Sequence, residues 1–251
     1  MTELNSIVTH LDLYLRTAEI ADYPGAWNGL QIENAGKVQR IGAAVDASAR
    51  TIDRAVEEGI DLLLVHHGLF WNGVQPMTGA NRRKIKAALD GALAVYSSHL
   101  PLDIHPVVGN NAILARALGF KKTSPFFLSK GQPIGLKTEV RISIRELAQR
   151  LEKVMGKAAH LAPGGPDTTT RIGLVTGGAG DGVAQARAEG VDTFITGEGP
   201  HHSYTLAEDL GMNLFYAGHY ATEIFGVQAL AASVSKKFGL PWQFIDHPTG
   251  I

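Results

Sequence analysis

The stretch Asp61-Leu62-Leu63-Leu64-Val65-His66-His67-Gly68 decides the fold class. A short apolar run with no alternation, opened by a carboxylate and closed by two imidazoles and a glycine, reads as a strand buried on both faces. The C-terminal end of such a strand is where an α/β protein places its ligands. Strand-like runs at 40–46 and 93–98 flank it, with helical patterns at 48–58, 81–91 and 109–118 between and after them. That alternation implies βαβ units and a mainly parallel sheet. Upstream, Leu4, Ile7, Val8, Leu11 and Leu15 have helical spacing, which predicts an amphipathic helix over 3–19. The punctuation of Tyr23-Pro24-Gly25-Ala26-Trp27-Asn28-Gly29-Leu30-Gln31 predicts a loop.

The middle of the chain changes character. Ser124-Pro125-Phe126-Phe127 and Gly131-Gln132-Pro133 read as turns, followed by a strand-like 134–142. Ser143-Ile144-Arg145-Glu146 is a capping box that opens a helix to about Met155. Ala162-Pro163-Gly164-Gly165-Pro166-Asp167 is another loop. Strands are then expected at 171–176, 192–196, 213–217 and 241–245, with a long helix over 220–237. A repeat runs through this order. Arg40-Ile41-Gly42 recurs as Arg171-Ile172-Gly173, and Glu58-Gly59-Ile60-Asp61 as Glu189-Gly190-Val191-Asp192, both at an offset of 131. Tyr96-Ser97-Ser98-His99 resembles Tyr216-Ala217-Gly218-His219 at an offset of 120, a shortfall that a longer loop after His67 accounts for. The reading is two similar, interlinked α/β domains from an internal duplication, 1–124 and 125–251, with the site in the cleft between them.

Composition bounds the function. With 251 residues, 45% of them hydrophobic, the chain can bury a substantial core as one large or two small domains. A net charge of −1 with interspersed charges gives no strong nucleic-acid or anionic-membrane signal. No apolar run approaches the roughly 20 residues that span a bilayer. Met1-Thr2-Glu3-Leu4-Asn5 lacks the start of a signal peptide, so a cytoplasmic protein is expected. The absence of cysteine rules out disulfides, thiolate zinc sites and thiol nucleophiles. Any metal must therefore be held by His, Asp and Glu, a mixed N/O set that suits Zn, Mn, Fe or similar.

The histidines collect at strand ends: His66 and His67, then His99 with Asp103 and His105 in the first half, and His201, His202 and His219 with Glu198 and Glu223 in the second. Adjacent residues in extended backbone face opposite ways, so His66 and His67 can serve two ions a few ångströms apart. His219 and Glu223, four apart at a helix start, share one face and can converge on one point. Pro101 stiffens the loop that presents Asp103. Asp46 reads equally as an N-cap or a site carboxylate, His201 and His202 as helix-capping or substrate-contacting groups, and Asn28 as a turn residue. Gly177-Gly178-Ala179-Gly180-Asp181-Gly182 reads first as a tight βα turn and second as a phosphate cradle. Val183 stands where the dinucleotide fingerprint needs its third glycine.

Asn28-Gly29-Leu30-Gln31, Val45-Asp46, Val65-His66-His67, Ser98-His99 through Asp103, Thr196-Gly197-Glu198 and Gly218-His219-Tyr220-Ala221-Thr222-Glu223 stand in the order of the Nif-three-like family. The chain resembles that family, whose members carry the label "GTP cyclohydrolase 1 type 2 homologue". The resemblance implies two divalent metal ions per subunit, one bound by His66 and Asp103, the other by His67 and His219, with Glu223 bridging. It also implies His99 beside the metals, His202 lining the same cleft, and a homohexamer built as a trimer of dimers. Gly68 replaces a proline common in relatives and Glu198 an aspartate; neither removes a ligand. The function expected is a metal-dependent hydrolase acting on a small, nucleotide-like substrate. The alternatives are a non-catalytic metal-binding or regulatory oligomer, and a nucleotide-binding regulator using the Gly177–Gly182 turn.

Overall fold

The computed structural model describes residues 1–73 and 75–251. In chain order its elements are β1 (Thr2–Glu3), α1 (Leu4–Leu15), β2 (Gly29–Ile32), β3 (Lys37–Val38), β4 (Ile41–Asp46), α2 (Ala49–Glu57), β5 (Leu62–His67), α3 (Gly79–Asp90), β6 (Ala94–Ser97), α4 (Leu100–Asp103) and α5 (Asn110–Ala117). There follow β7 (Ser124–Ser129), β8 (Gln132–Ser143), α6 (Ile144–Met155), β9 (His160–Pro163), β10 (Thr168–Val175), α7 (Val183–Ala188), β11 (Thr193–Thr196), α8 (His201–Asp209), β12 (Asn213–Tyr216), α9 (His219–Phe238) and β13 (Trp242–Phe244). No helix among the described residues is long and apolar enough to cross a membrane.

The chain forms two compact units that are not the contiguous halves 1–124 and 125–251. One unit comprises Met1–Val108 with Gly226–His247, the other Gly109–Phe225 with Pro248–Ile251. The C-terminal segment belongs to the first unit because β13 extends its sheet by pairing in parallel with β4.

The first unit's sheet runs β13-β4-β5-β6-β2, parallel except for β2. β5 lies inside it, and Leu62, Leu63, Leu64 and Val65 are buried on both faces, which is why its sequence shows no alternation. Ile52 and Ala55 of α2 pack on Leu63, Val65, Val95 and Ile245. The second unit's sheet runs β7-β8-β10-β11-β12-β9 and is mixed: β10, β11 and β12 are parallel, while the outer pairings are antiparallel. Phe194 and Leu214 face one core, and the next residues, Ile195 and Phe215, face the other, so this sheet too is covered on both sides.

Three edge strands overlap stretches expected as loops or turns. Gly29–Ile32 forms β2 against β6, Ser124–Ser129 forms β7 against β8, and His160–Pro163 forms β9 against β12. Their Gly and Pro content argues against a central strand but is tolerated at an edge, where one side needs no ladder partner. The N-terminal helix stops at Leu15 because Arg16 takes a left-handed conformation, φ 55°, that caps it.

Two of the matched segment pairs make like hydrogen bonds. Asp61 Oδ2 accepts from the main-chain N–H of Gln39 (2.7 Å) and Arg40 (2.9 Å), and Asp192 Oδ2 from Thr170 (3.0 Å) and Arg171 (3.1 Å). Ile60 N–H bonds Ala55 O as Val191 N–H bonds Ala186 O. The third sequence match is out of register. Ser98 N–H bonds Val65 O as Ala217 N–H bonds Thr196 O, so Ser98 corresponds to Ala217 and His99 to Gly218, not to His219. The backbone ladder sets equivalence, and a slip of one residue reverses every side chain.

Burial pushes the Asp192 carboxyl up, but hydrogen bonds from Thr169, Thr170 and Arg171 outweigh it and hold the group below its ordinary 3.8. A lowered folded value means that the ionised group stabilises the fold above pH 3.8 and that this is lost as pH falls through the folded value. Asp192→Asn is expected to cost about 1–3 kcal/mol at pH 7. Urea unfolding should show the gap from wild type shrinking below about pH 4.

Candidate metal-binding site

In the first unit β5 lies between β4 and β6, and its last two residues are tethered to opposite neighbours. His66, fully buried, donates from Nδ1 to the Ser98 carbonyl just beyond β6 (2.9 Å). His67 donates from Nδ1 to Asp46 Oδ1, its register partner at the end of β4 (2.9 Å). His99 donates from Nδ1 to Asp22 Oδ1 (2.8 Å). Ring nitrogens of His66, His67 and His99 lie within 4.8 Å of one another, close enough to share an ion. His66 Nε2 is 3.6 Å from Asp103 Oδ2. Asp103 is buried and sits on the single turn α4, Pro101 falling in its first turn, so a helical turn and not a loop presents it. Trp71 packs edge-on against His99 (4.5 Å between centroids) and tilted against His67 (5.0 Å).

In the second unit His219 opens α9 and Glu223 follows one turn later. His219 Nε2 lies 3.2 Å from Glu223 Oε2, and its Nδ1 donates to Glu198 Oε1 (2.8 Å). Burial alone would lower the His219 imidazole, but the hydrogen bonds and charges of Glu223 and Glu198 raise it to about 9. The Gly177–Gly182 turn is built around this pair. Gly177 has φ +72°, and a Cβ there would stand 2.3 Å from Glu223 Oε1. Its N–H bonds Thr222 Oγ1 (3.0 Å), Ala179 N–H bonds Thr196 Oγ1 (3.1 Å), and Gly180 N–H bonds Glu198 O (3.0 Å). Those donors are engaged inside the protein, as a tight βα turn requires and a phosphate cradle does not.

The donor chemistry fits a divalent transition metal. A carbonyl or carboxylate oxygen accepts only, so His66, His67 and His99 when neutral carry the proton on Nδ1 and the lone pair on Nε2, and His219 reaches the same form on giving up its Nε2 proton. That is the arrangement in which an imidazole ligates a metal through Nε2 while its other nitrogen is held. Buried carboxylates at Asp103 and Glu223 complete an N/O set that suits Zn, Mn or Fe.

Several sequence expectations change. Asp46 is not an N-cap; Ser48 caps α2, and Asp46 orients His67. Glu198 does the same for His219. Asn28 is more than a turn residue: its Oδ1 accepts the main-chain N–H of His99 (2.7 Å). His105 leaves the site, since its Nε2 meets Tyr14 O and its Nδ1 accepts from the N–H of Val107 and Val108. His201 and His202 are exposed in the first turn of α8; His201 lines a cavity and the His202 carbonyl accepts from Thr205 Oγ1. Asp22 carries no comparable signal in the sequence. It lies 77 residues from His99, and its only local mark is a carboxylate just before Tyr23-Pro24-Gly25.

These features define an α/β protein whose strand ends carry His and carboxylate groups able to hold metal ions. The chain belongs to the Duf34/NIF3 (NGG1p interacting factor 3) family, whose profile matches residues 2–249. A relative from Deinococcus radiodurans named GTP cyclohydrolase 1 type 2 homolog is 41% identical over 250 residues, covering 98% of this chain and 94% of its own. One of the same name from Halobacterium salinarum is 40% identical over 255 residues, covering 99% and 100%. The crystal structure of TTHA1606 from Thermus thermophilus is similar at a TM-score of 0.90, with 39% identity and complete coverage of both chains.

In metal-free protein, NMR titration should place the His219 imidazole near 9, with a fall toward 6.5 in Glu223→Gln. A folded value raised above 6.5 contributes stability that is full below pH 6.5 and is lost as pH rises through 9.

Proposed function

We propose that this chain is a dinuclear divalent-metal-dependent hydrolase acting on a small, nucleotide-like molecule. The observation that carries the reading is shared by four imidazoles: His66, His67, His99 and His219 each have Nδ1 bound to an oxygen acceptor. Rings anchored through Nδ1 beside buried carboxylates leave Nε2 as the working nitrogen, proposed as a ligand in His66, His67 and His219 and as a proton acceptor in His99. The proposed assignment follows the family resemblance. His66 and Asp103 would hold one ion and His67 and His219 the other, with Glu223 shared between them. Asp46 and Glu198 orient His67 and His219.

A bound divalent ion lowers the pKa of water toward neutrality and steadies negative charge developing on a substrate. His99 and His202 are the proposed proton carriers, and His99 has its ring fixed. A cavity of about 730 Å³ in the second unit, lined by Lys157, His160, Glu198, His201, Tyr204 and Tyr216, supports a small-molecule substrate. The nucleotide-like character rests on the name of the relatives. The homohexamer, a trimer of dimers, and the cytoplasmic setting are part of the same proposal.

Elemental analysis of protein purified without added metal or affinity tag is expected to find about two equivalents per subunit, the number the bridged arrangement requires. Glu223→Ala should abolish most of this content, and Asp46→Ala should weaken metal affinity by about 10–100-fold. The metallated protein should hydrolyse a member of a nucleotide, phosphoester and cyclic-amide panel. Full metal content with no turnover anywhere in that panel would instead mark a non-catalytic metal-binding or regulatory protein.

A further inference from the structure

We infer that Asp22, braced by Asn28, is the positioning residue that keeps His99 in the tautomer with a basic Nε2; the use of that nitrogen as a proton acceptor rests on the hydrolase reading above. The Asp22 carboxylate is surrounded by donors. Its Oδ1 accepts from Tyr23 N–H (2.7 Å) and His99 Nδ1–H (2.8 Å), and its Oδ2 from Asn28 Nδ2 (2.8 Å) and Leu100 N–H (2.9 Å). The dyad is almost wholly out of water, the His99 and Asp22 side chains being 10% and 6% exposed. Asn28 closes the bracket by accepting the His99 main-chain N–H at 2.7 Å. Ring and backbone of His99 are thus pinned from the same short segment, while Trp71 covers the ring.

The consequence is chemical. With Nδ1–H committed to Asp22, the His99 lone pair is on Nε2, and His99 stands in the group formed with His66 and His67. In a hydrolytic step the water O–H bond breaks and its proton goes to Nε2, while the oxygen bonds the attacked centre. The imidazolium so formed already has its Nδ1–H on a carboxylate, and Nε2 then returns the proton to the leaving group as the bond between that group and the attacked centre breaks. Asp22 touches neither substrate nor metal in this scheme; it acts through His99.

Asp22→Asn is the discriminating variant because four donors leave the new amide few choices. An NH2 at the Oδ2 position would face two donors, Asn28 Nδ2 and Leu100 N–H. At the Oδ1 position it opposes one, Tyr23 N–H, and can donate to His99 Nδ1 provided that the ring proton moves to Nε2. The variant should therefore invert the His99 tautomer.

The test is ¹⁵N NMR of histidine-labelled, zinc-loaded protein, with the His99 signals assigned by their loss in His99→Asn. Expected are Nδ1–H in wild type, Nε2–H in Asp22→Asn, and Nδ1–H retained in Asn28→Ala, with wild-type metal content in all three. An Nε2–H tautomer in wild type overturns the inference whatever Asp22→Asn does. So does an unchanged tautomer in Asp22→Asn, or loss of metal in that variant, which would make His99 a ligand. On any substrate the protein turns over, Asp22→Asn should lower kcat by about 10²–10⁴-fold with KM little changed, and an unmoved kcat also overturns it. The tautomer measurement needs no turnover, so failure of the hydrolase reading and failure of this inference remain separate results.

Discussion

An imidazole at the end of a strand is useful only if one of its nitrogens is fixed, and here the fixing is done by oxygen acceptors on neighbouring segments. Ser98 O, Asp46, Asp22 and Glu198 each take an Nδ1–H. For His66 and His67 the geometry follows from strand order. Because β5 lies between β4 and β6, consecutive side chains reach opposite neighbours, and one ring is held by Asp46 while the other is held by the backbone past β6. A sheet with β5 at its edge would have offered an acceptor on one side only.

Both sheets divide their labour between strand ends. Asp61 binds the main-chain N–H groups just before β4 and Asp192 those of Thr170 and Arg171 in the first half of β10, and each joins the turn that delivers the next strand. At the C-terminal ends lie the His and carboxylate groups. The same backbone frame carries both, yet only its stabilising end recurs faithfully between the units. His66 and His67 correspond by register to Gly197 and Glu198, so equivalent positions carry different chemistry. Glycine at 177 illustrates the division: only a residue without Cβ fits beside Glu223.

The buried central strands are legible because burial on both faces leaves a local mark, an unbroken apolar run, and the flanking helices because amphipathicity has a period. The edge strands β2, β7 and β9 read as loops, since an edge strand is defined by its partner and tolerates the glycine and proline that signal turns. The ligand candidates His66, His67, Asp103, His219 and Glu223 are legible from residue type and from position after apolar runs. Asp22 is not, and His105 groups with the site in sequence although its ring serves the backbone of Tyr14, Val107 and Val108.

Taken alone, the sequence determined the α/β class, the repeat frame around Asp61 and Asp192, the i, i+4 pairing of His219 with Glu223, and the dearth of soft ligands that restricts any metal to N/O coordination. These are properties of period, composition and short spacing, which the chain carries locally. Tertiary structure decided which acceptor holds each imidazole, which histidines face a shared point, and that the C-terminal strand returns to the first sheet. Those outcomes depend on residues 21 to 77 positions apart meeting in space, and no local pattern encodes a hydrogen bond across such a span.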